Sequence, residues 1–304
     1  METTLTQPTQ IKEFYDRVLL ARVRPLVVHG QFGQPKPIPA NSGKTVSWRR
    51  FASLAAATTP LVEGVTPAGS ALSSSEINAT VAQYGSFVTL TDMLQAISIN
   101  DMGQQTVEQL GDQAALTLDT VIRDALTAGT NVAYADAVAN RAAVAAANVI
   151  DWNLVKFAAT QLANASASRI GQQYVGIIHP FAKHTLTNDN KWIEAAKYAG
   201  SMPLYSGEIG QIQGVRFIES PLARVYAGAG AGAIDVYATL VMGANAYGLI
   251  SLANMGLESI FKPLGSGDDP LNQRATWAWK ATQAARILNE SWIIRLEHSI
   301  AVTA

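Results

Sequence analysis

The residues best suited to chemistry in this chain of 304 residues begin with the string NSGKT at residues 41–45. Gly43 and Lys44 resemble the end of a phosphate-binding loop, in which backbone N–H groups hold phosphates and a lysine neutralises charge. That loop needs another glycine five positions before Gly43, and this position is occupied by Ile38. The following residues, TVSWRRF, favour a strand, whereas a phosphate-binding loop opens a helix. We therefore predict a turn that enters a strand.

A second glycine-rich string, GAGAGAID at residues 228–235, imitates the dinucleotide-binding fingerprint. That fingerprint must open a helix, so that the N-terminus of the helix faces the pyrophosphate. Strand-favouring residues follow this string instead. It therefore predicts a flexible turn and no nucleotide site.

Candidate metal ligands and nucleophiles are few. The chain has no cysteine, which excludes disulfides, thiol catalysis and thiolate metal sites. His179 and His184 straddle Pro180, so they do not share a helix face as a zinc-binding pair would. Asp268 and Asp269 could ligate a structural cation, but adjacent carboxylates before a proline are common in exposed loops. We predict no catalytic residue, no cofactor site and no metal site.

The composition describes a folded chain with few charges. Lys and Arg total 22 and Asp and Glu total 23, which gives a net charge of −1. Charged residues make up 15% of the chain, against roughly 25% in average soluble proteins. The hydrophobic share of 48% excludes general disorder, and the balanced charge argues against a free nucleic-acid-binding protein. Because net charge opposes association, we predict a surface largely covered by other chains.

The N-terminal region combines a short amphipathic segment with a stiff one. Its apolar residues share one helix face: Ile11, Phe14, Tyr15, Val18 and Leu19. Prolines 35, 37 and 39 then favour an extended path. Neither part can form a core, so both must lie on something else.

Two features bear on membranes. The first thirty residues lack a basic segment followed by an apolar one, so we expect no signal peptide. The uncharged run at residues 236–253 contains Gly243, Asn245, Gly248 and Ser251. It predicts a buried strand–turn–strand and no membrane partner.

An extended hairpin is predicted from two strand-like runs at residues 43–54 and 77–92. A Thr-, Pro-, Gly- and Ser-rich tip at residues 58–75 joins them. The alternation of the second run slips near Tyr84–Gly85, which suggests a bulge. Such a hairpin is marginal alone and would be stabilised by lying on a neighbour.

The first strand of this hairpin carries two adjacent arginines. Arg49 and Arg50 point to opposite faces, because side chains alternate along a strand. One of them is expected to pair with a carboxylate of another subunit, such as Glu63 or Glu76. Two solvated arginines are the alternative.

Helical spacing of apolar residues predicts a long helix over residues 102–128. At 1.5 Å per residue it would span roughly 40 Å, enough for the spine of a domain. Beyond it, Asp151 predicts the cap of another helix, and short apolar strands follow. The C-terminal region predicts strands around residues 277–279 and over 287–296, where Trp292 alternates with other apolar residues.

This order of elements resembles the major capsid protein of tailed bacteriophages. Particular strings are similar to its branch often called the N-four-type major capsid protein family. They are QFGQPKPIPANSGKTVSWRR, ATTPLVEGVTP, VAQYGSFVTLTD, the helix with LTLD and LTAGT, GEIGQIQGVRFIES, DDPLNQRATWAWK and RILNESWIIRLE. The resemblance runs from about residue 13 to residue 297.

The resemblance implies an α+β fold, that of the tailed-phage major capsid protein. Its parts would be an N-terminal arm at 1–36, an extended β-hairpin loop at 37–90, a peripheral domain at 91–149 with the spine helix, an α/β axial domain at 150–255 and returning strands of the peripheral domain at 256–304. Subunits of this kind form pentamers and hexamers of an icosahedral shell around double-stranded DNA.

The implied role is structural and not enzymatic. The implied partners are other copies of the chain, a separate scaffolding protein, the portal, decoration or cement proteins, and packaged DNA held non-specifically. The implied location is the virion capsid, assembled in the bacterial host cytoplasm. The alternatives are another phage or prophage structural protein, of a tail or an encapsulating shell, and a soluble α/β enzyme. The suspected contacts between subunits are Phe14, Tyr15, Arg17, Arg49, Arg50, Glu63, Glu76, Asp269 and Arg274.

Overall fold

The fold was analysed in a computed structural model. It describes residues 19, 27–39, 43–52, 54–61, 63–66, 68–99, 101–188, 209–252, 256–266 and 268–301. Apart from Leu19, the predicted amphipathic segment lies outside the described residues.

Strands and helices are interspersed along the described part of the chain. The strands are β1 Gln34–Ile38, β2 Thr45–Phe51, β3 Ser74–Thr80, β4 Ala82–Thr91, β5 Val132–Tyr134, β6 Tyr174–Ile178, β7 Ile209–Ile212, β8 Val215–Glu219, β9 Val225–Tyr226, β10 Val236–Met242, β11 Tyr247–Leu252, β12 Glu258–Lys262, β13 Arg274–Ile287 and β14 Ile293–His298. The helices are α1 Asp92–Ile97, α2 Met102–Thr127, α3 Trp152–Asn164 and α4 Pro180–Thr187.

A five-stranded sheet is organised around the long strand β13. Its order is β1-β11-β13-β12, and β4 also pairs with β13. Strand β1 runs parallel to β11, and the other pairs are antiparallel. Alternate residues of β13, among them Trp277 and Trp279, are buried against α2. This is the period of two that the sequence predicts for the two tryptophans.

A seven-stranded sheet forms the second layer. Its order is β5-β14-β10-β6-β8-β7, with β9 paired to β10. Helices α3 and α4 cover it, and their apolar residues join those of β6, β8, β10 and β14 in one core. The Asp151 carboxylate caps α3 by accepting from the backbone N–H of Leu154 at 2.8 Å, as predicted. The predicted strand–turn–strand at 236–253 is confirmed, with β10 in this sheet and β11 in the five-stranded one.

Helix α2 confirms the predicted long helix and packs against both sheets. It begins after Asp101, whose carboxylate accepts from the backbone N–H of Gln104 at 3.1 Å. Leu110 in its first half joins a core with β4 and β13. Ile122 and Leu126 in its second half join another with β6 and β10. A rod of 26 residues, about 39 Å long, therefore connects the two layers.

The predicted bulge near Tyr84–Gly85 is wrong. Strand β4 pairs with β13 in one unbroken register from Thr91–Arg274 to Ala82–Gln283. The alternation of apolar residues shifts because the chain changes its pairing partner. It pairs with β2 up to Thr80 and with β13 from Ala82. Gly85 is instead a close contact, since a Cβ there would lie 2.7 Å from the carbonyl oxygen of Trp279.

The predicted continuous strand over 287–296 is also wrong. Strand β13 ends at Ile287, and a 3-10 turn at Glu290–Trp292 precedes β14. The Asn289 side chain caps this turn by accepting from the backbone N–H of Ser291 at 3.2 Å. Trp292 lies in the turn, and its indole N–H donates to the carbonyl of Ala165 at 3.2 Å. The turn lets the chain pass from one sheet to the other.

A buried polar cluster holds residues 27–33 against α2. The Asp119 carboxylate accepts from the backbone N–H groups of Val28 and His29 at 2.9 and 2.8 Å. Its other oxygen lies 2.7 Å from Nδ1 of His29. The hydroxyl of Tyr247 donates to the carbonyl of His29. This cluster fixes the segment that leads into β1.

A second polar cluster joins the end of α2 to β14. The Glu297 side chain is fully buried and accepts from Arg141 at 2.6 Å and from Arg295 at 2.7 Å. Arg295 also donates to the carbonyls of Thr127 and Gly129 at the C-terminus of α2. Burial alone would raise the pKa of Glu297, but the hydrogen bonds from the two arginines outweigh it and lower the pKa.

We expect Glu297→Gln to lower the free energy of unfolding by about 3 kcal/mol, because it leaves a buried arginine without its countercharge. Denaturant unfolding of the unassembled chain measures this. The matched control is Glu219→Gln, which breaks the more exposed pair with Lys183 and should cost no more than about 1 kcal/mol. Equal losses in the two variants would contradict this assignment.

His298 lies in the interior beside Tyr237, whose ring stacks on it at 6.4 Å between centroids. Its Nδ1–H donates to the carbonyl of Ser299 at 2.8 Å, so Nε2 accepts from the Thr239 hydroxyl at 2.9 Å. Burial lowers the pKa of His298 from its ordinary 6.5 to about 4. Burial lowers the pKa of His179 as well.

We expect the chain to lose stability as the pH falls from about 6.5 to about 4. In this range His298 is protonated in the unfolded chain but remains neutral in the folded chain. This difference lowers the free energy of unfolding by up to about 3 kcal/mol. Denaturant unfolding at several pH values measures the slope. His298→Gln should flatten it, and an unchanged slope in that variant would contradict the role given to His298.

Candidate intersubunit surfaces

The predicted hairpin is confirmed for residues 45–51 and 74–80, whereas residues 82–91 of its predicted second strand pair with β13 instead. Its two strands pair over seven residues each, from Thr45–Thr80 to Phe51–Ser74. Only the base is packed, where Val46 and Ala79 form a small core with Ile38 of β1 and Ile250 of β11. Beyond that base, the hairpin extends away from the rest of the chain.

The base of the hairpin is fixed by Trp48. Its ring lies so close to Gly248 that a Cβ there would be 2.4 Å from it. The ammonium of Lys36 donates to the carbonyl of Ser47 at 2.7 Å and lies 5.3 Å from the centroid of the Trp48 ring. These contacts set the angle at which the hairpin leaves the five-stranded sheet.

The tip of the hairpin exposes apolar side chains. The exposed fractions reach 78% at Leu61 and 66% at Leu72, and Phe51, Leu54 and Val65 are also exposed. A single exposed apolar residue is ordinary, but several on one protruding element indicate a contact surface.

The hairpin also carries four of the suspected contact residues. Arg49, Arg50, Glu63 and Glu76 are all exposed. Arg49 lies directly opposite Glu76 of the same hairpin, whereas Arg50 lies opposite Ser75. Arg49 therefore has a carboxylate of its own chain on the paired strand. Arg50 has no carboxylate at the directly opposite position.

The suspected residues Asp269 and Arg274 meet within the chain. The backbone N–H of Arg274 donates to the Asp269 carboxylate at 2.7 Å, which lowers the pKa of Asp269. The Arg274 guanidinium donates to the carbonyl of Asp268 at 2.9 Å and remains exposed. The other three suspected residues, Phe14, Tyr15 and Arg17, lie outside the described residues.

The sequence reasoning missed helix α1. None of its residues is buried, and four apolar side chains in and after it are exposed: Met93, Leu94, Ile97 and Ile99. Six residues are too few for an apolar period to be recognised in the sequence. The signal available was the density of large apolar residues between the hairpin and α2.

The strings that imitate nucleotide sites are placed as predicted. Residues 41 and 42 of the first string lie outside the described residues; Gly43 has a φ of 80°, and strand β2 begins at Thr45. The glycine-rich string at 228–235 is a turn before β10. His179 caps α4 by accepting from the backbone N–H of Phe181. Within the described ranges, no three His, Asp or Glu side chains are grouped to hold a metal ion. Nor is any helix of the described part long and apolar enough to cross a membrane.

The fold is similar to that of solved phage capsid proteins. It superposes on the capsid protein of cyanophage Pam1 with a TM-score of 0.71 and 17% identity, over 93% of each chain. For the capsid of Ralstonia phage GP4 the TM-score is 0.70 with 16% identity, over 90% of this chain and 88% of that one. The SrpI encapsulin of Synechococcus elongatus gives 0.59 with 9% identity, over 92% and 90%. At these identities the likeness shows the fold, that of the tailed-phage major capsid protein.

No curated protein matches the chain significantly. A family model described as phage capsid protein matches residues 74–296, well over half of the chain. The likeness to the encapsulin, at 9% identity, shows a shared fold. The chain therefore belongs to the phage capsid protein family and is a structural, non-enzymatic component of the virion capsid.

Proposed function

We propose that the chain assembles into pentamers and hexamers that close into an icosahedral shell around double-stranded DNA. The observation that carries this proposal is the hairpin, whose tip exposes several apolar side chains that its own chain does not cover. A closed shell needs contacts that join many copies at slightly different angles. A protruding hairpin that lies on the adjacent subunit can supply such contacts.

The proposed shell assigns a place to each part of the chain. Residues 1–36 are the arm, 37–90 the extended loop, 91–149 and 256–304 the peripheral domain, and 150–255 the axial domain near the capsomer centre. Strand β11 of the range 150–255 lies in the five-stranded sheet, and β14 of the range 256–304 lies in the seven-stranded sheet, so the two proposed domains share strands. A separate scaffolding protein, the portal, decoration or cement proteins and packaged DNA are the proposed partners, and the host cytoplasm is the proposed site of assembly.

Replacing residues 59–73 with a short glycine–serine linker should abolish closed shells, because each subunit then loses its reach onto the next. It should leave the fold intact, since no described residue of the tip belongs to a packed core. Negative-stain imaging measures the shells, and circular dichroism with thermal melting measures the fold.

The matched pair for this test is Leu61→Ser in the tip and Leu271→Ser in the loop before β13, where the leucines are 78% and 73% exposed. Only the tip variant should reduce the number of shells. Normal closed particles from the linker variant would show that the hairpin does not join the subunits.

The purified chain should also sediment as capsomers or larger particles at high concentration. The low charge density and the exposed apolar tip both favour association. Analytical ultracentrifugation with and without the phage's scaffolding protein measures this. A sharp monomer under both conditions would contradict the proposed assembly.

A further inference from the structure

The five-stranded sheet has a free edge along β4. Of the described strands, only β13 pairs with β4, so no described strand lies along its other side. Leu90 is buried, and the other residues of β4 are exposed or half-buried. The free edge of a strand presents backbone N–H and C=O groups that can pair with another chain.

A hydrogen bond at the end of β4 shows which of its backbone groups face this edge. The N–H of Asp92 donates to the carbonyl of Gln273 at 3.1 Å, which continues the register of β4 with β13 by one step. Because the N–H and C=O groups of successive strand residues point to opposite sides, the even-numbered residues of β4 bond to β13. The odd-numbered residues face the free edge, and they are Gln83, Gly85, Phe87, Thr89 and Thr91.

This edge lacks the features that usually prevent edges from pairing, which are Lys, Pro and bulges. Strand β1 at another edge of the sheet contains Pro35 and Pro37, and β12 has Glu258 and Lys262 at its two ends. Strand β4 contains no proline and no charged residue, and its register with β13 is unbroken. The whole range 51–122, to which β4 belongs, holds no Lys or Arg. Of the described edges of this sheet, β4 is therefore the long one that stays open to pairing.

A second copy of the same strand suits this edge. Two identical strands related by a two-fold axis pair antiparallel through the same surface on both copies. Such a pairing would bring a charged residue of β4 close to its own counterpart, and β4 has none. A closed icosahedral shell contains two-fold axes, so this pairing is compatible with the proposed assembly.

The two ends of the edge fix the register of the pairing. At one end the Val81 N–H donates to the Lys44 carbonyl at 3.0 Å, so that part of the edge is already occupied. At the other end α1 begins at Asp92. The outward-facing residues that are clear of both ends lie in the range 85–91, and Val88 is its midpoint.

The side chains agree with a pair centred on Val88. Phe87, which is 68% exposed, then stands opposite Thr89 of the second copy. An aromatic residue opposite a β-branched one is a cross-strand pair that stabilises sheets. The two copies of Val88, which is 39% exposed, face each other directly at the axis.

We infer that β4 pairs antiparallel with β4 of a second copy across a two-fold axis at Val88. The outward N–H and C=O groups of the two strands then satisfy each other, and two five-stranded sheets become one. This inference rests on the proposed shell and names a contact that does not involve the hairpin tip.

The test introduces a single cysteine, because the chain has none of its own. At the inferred axis the two Cα atoms of residue 88 lie about 4.5 Å apart, the spacing of a non-hydrogen-bonded antiparallel pair, which a disulfide can span. Closed particles of Val88→Cys should therefore give disulfide-linked dimers as the main species after mild oxidation. Non-reducing electrophoresis measures the dimer fraction.

The matched control is Lys262→Cys, which places an exposed cysteine on β12, across β13 from β4 in the same sheet. It should give at least tenfold less dimer than Val88→Cys does. Equal dimer fractions in the two variants would overturn the inferred axis.

A second pair of variants tests the backbone of the edge. Thr89→Pro removes an N–H that faces outward and should leave the fold intact, because proline is tolerated where the N–H of an edge strand is unpaired. It should lower the yield of closed particles roughly tenfold, whereas Thr89→Val, which keeps the N–H, should change the yield less than twofold. Negative-stain imaging measures the yield, and thermal melting measures the fold. A normal yield from Thr89→Pro would contradict the pairing.

The remaining outcomes separate this inference from the proposed assembly. Closed particles of Val88→Cys that give no dimer would overturn the two-fold pairing and leave the proposed shell standing. If Thr89→Pro then loses the particles, a different segment occupies the edge. If the unaltered chain forms no closed particles under the same conditions, the proposed assembly itself fails.

Discussion

The structure depends on the burial of one helix against two different sheets. The apolar stripe of α2 packs on the five-stranded sheet through Leu110 and on the seven-stranded sheet through Ile122 and Leu126. Because an α-helix is a stiff rod, the two sheets are fixed relative to each other by the same element. At its C-terminus, Arg295 of β14 satisfies carbonyls that the helix itself leaves unpaired. The spine thus sets the position from which the hairpin leaves the molecule.

Local spacing was enough to predict the elements but not their partners. The period of α2 and the two strands of the hairpin are visible in the sequence, because alternation and helical spacing report which face is buried. The same alternation cannot report what covers that face. The shift in alternation after Thr80 therefore resembled a bulge. It instead marks the point at which the chain stops pairing with β2 and begins to pair with β13. The Asp119–His29 cluster joins residues 90 apart, and no local pattern contains it.

For the candidate contact surfaces, too, the sequence predicted local features but not which residues lie opposite each other. The sequence indicated that Arg49 and Arg50 face opposite ways, but only the register with β3 shows that Glu76 stands opposite Arg49. Helix α1 was missed because an element without buried residues leaves no periodic signal. The absence of Lys and Arg from residues 51–122 could have been counted from the sequence.

The division between packed cores and exposed protrusions suits a subunit that must assemble after it folds. The cores on both sides of α2 and the buried Glu297 cluster stabilise the single chain without help from a neighbour. The apolar side chains of the hairpin tip and of α1 are exposed in the single chain, so only a partner can bury them. Exposed charge pairs and small apolar patches each contribute little, so a single contact between copies is weak and reversible. Reversible single contacts let misplaced subunits leave a growing shell. The many contacts that each copy makes in a closed shell then act together to hold it.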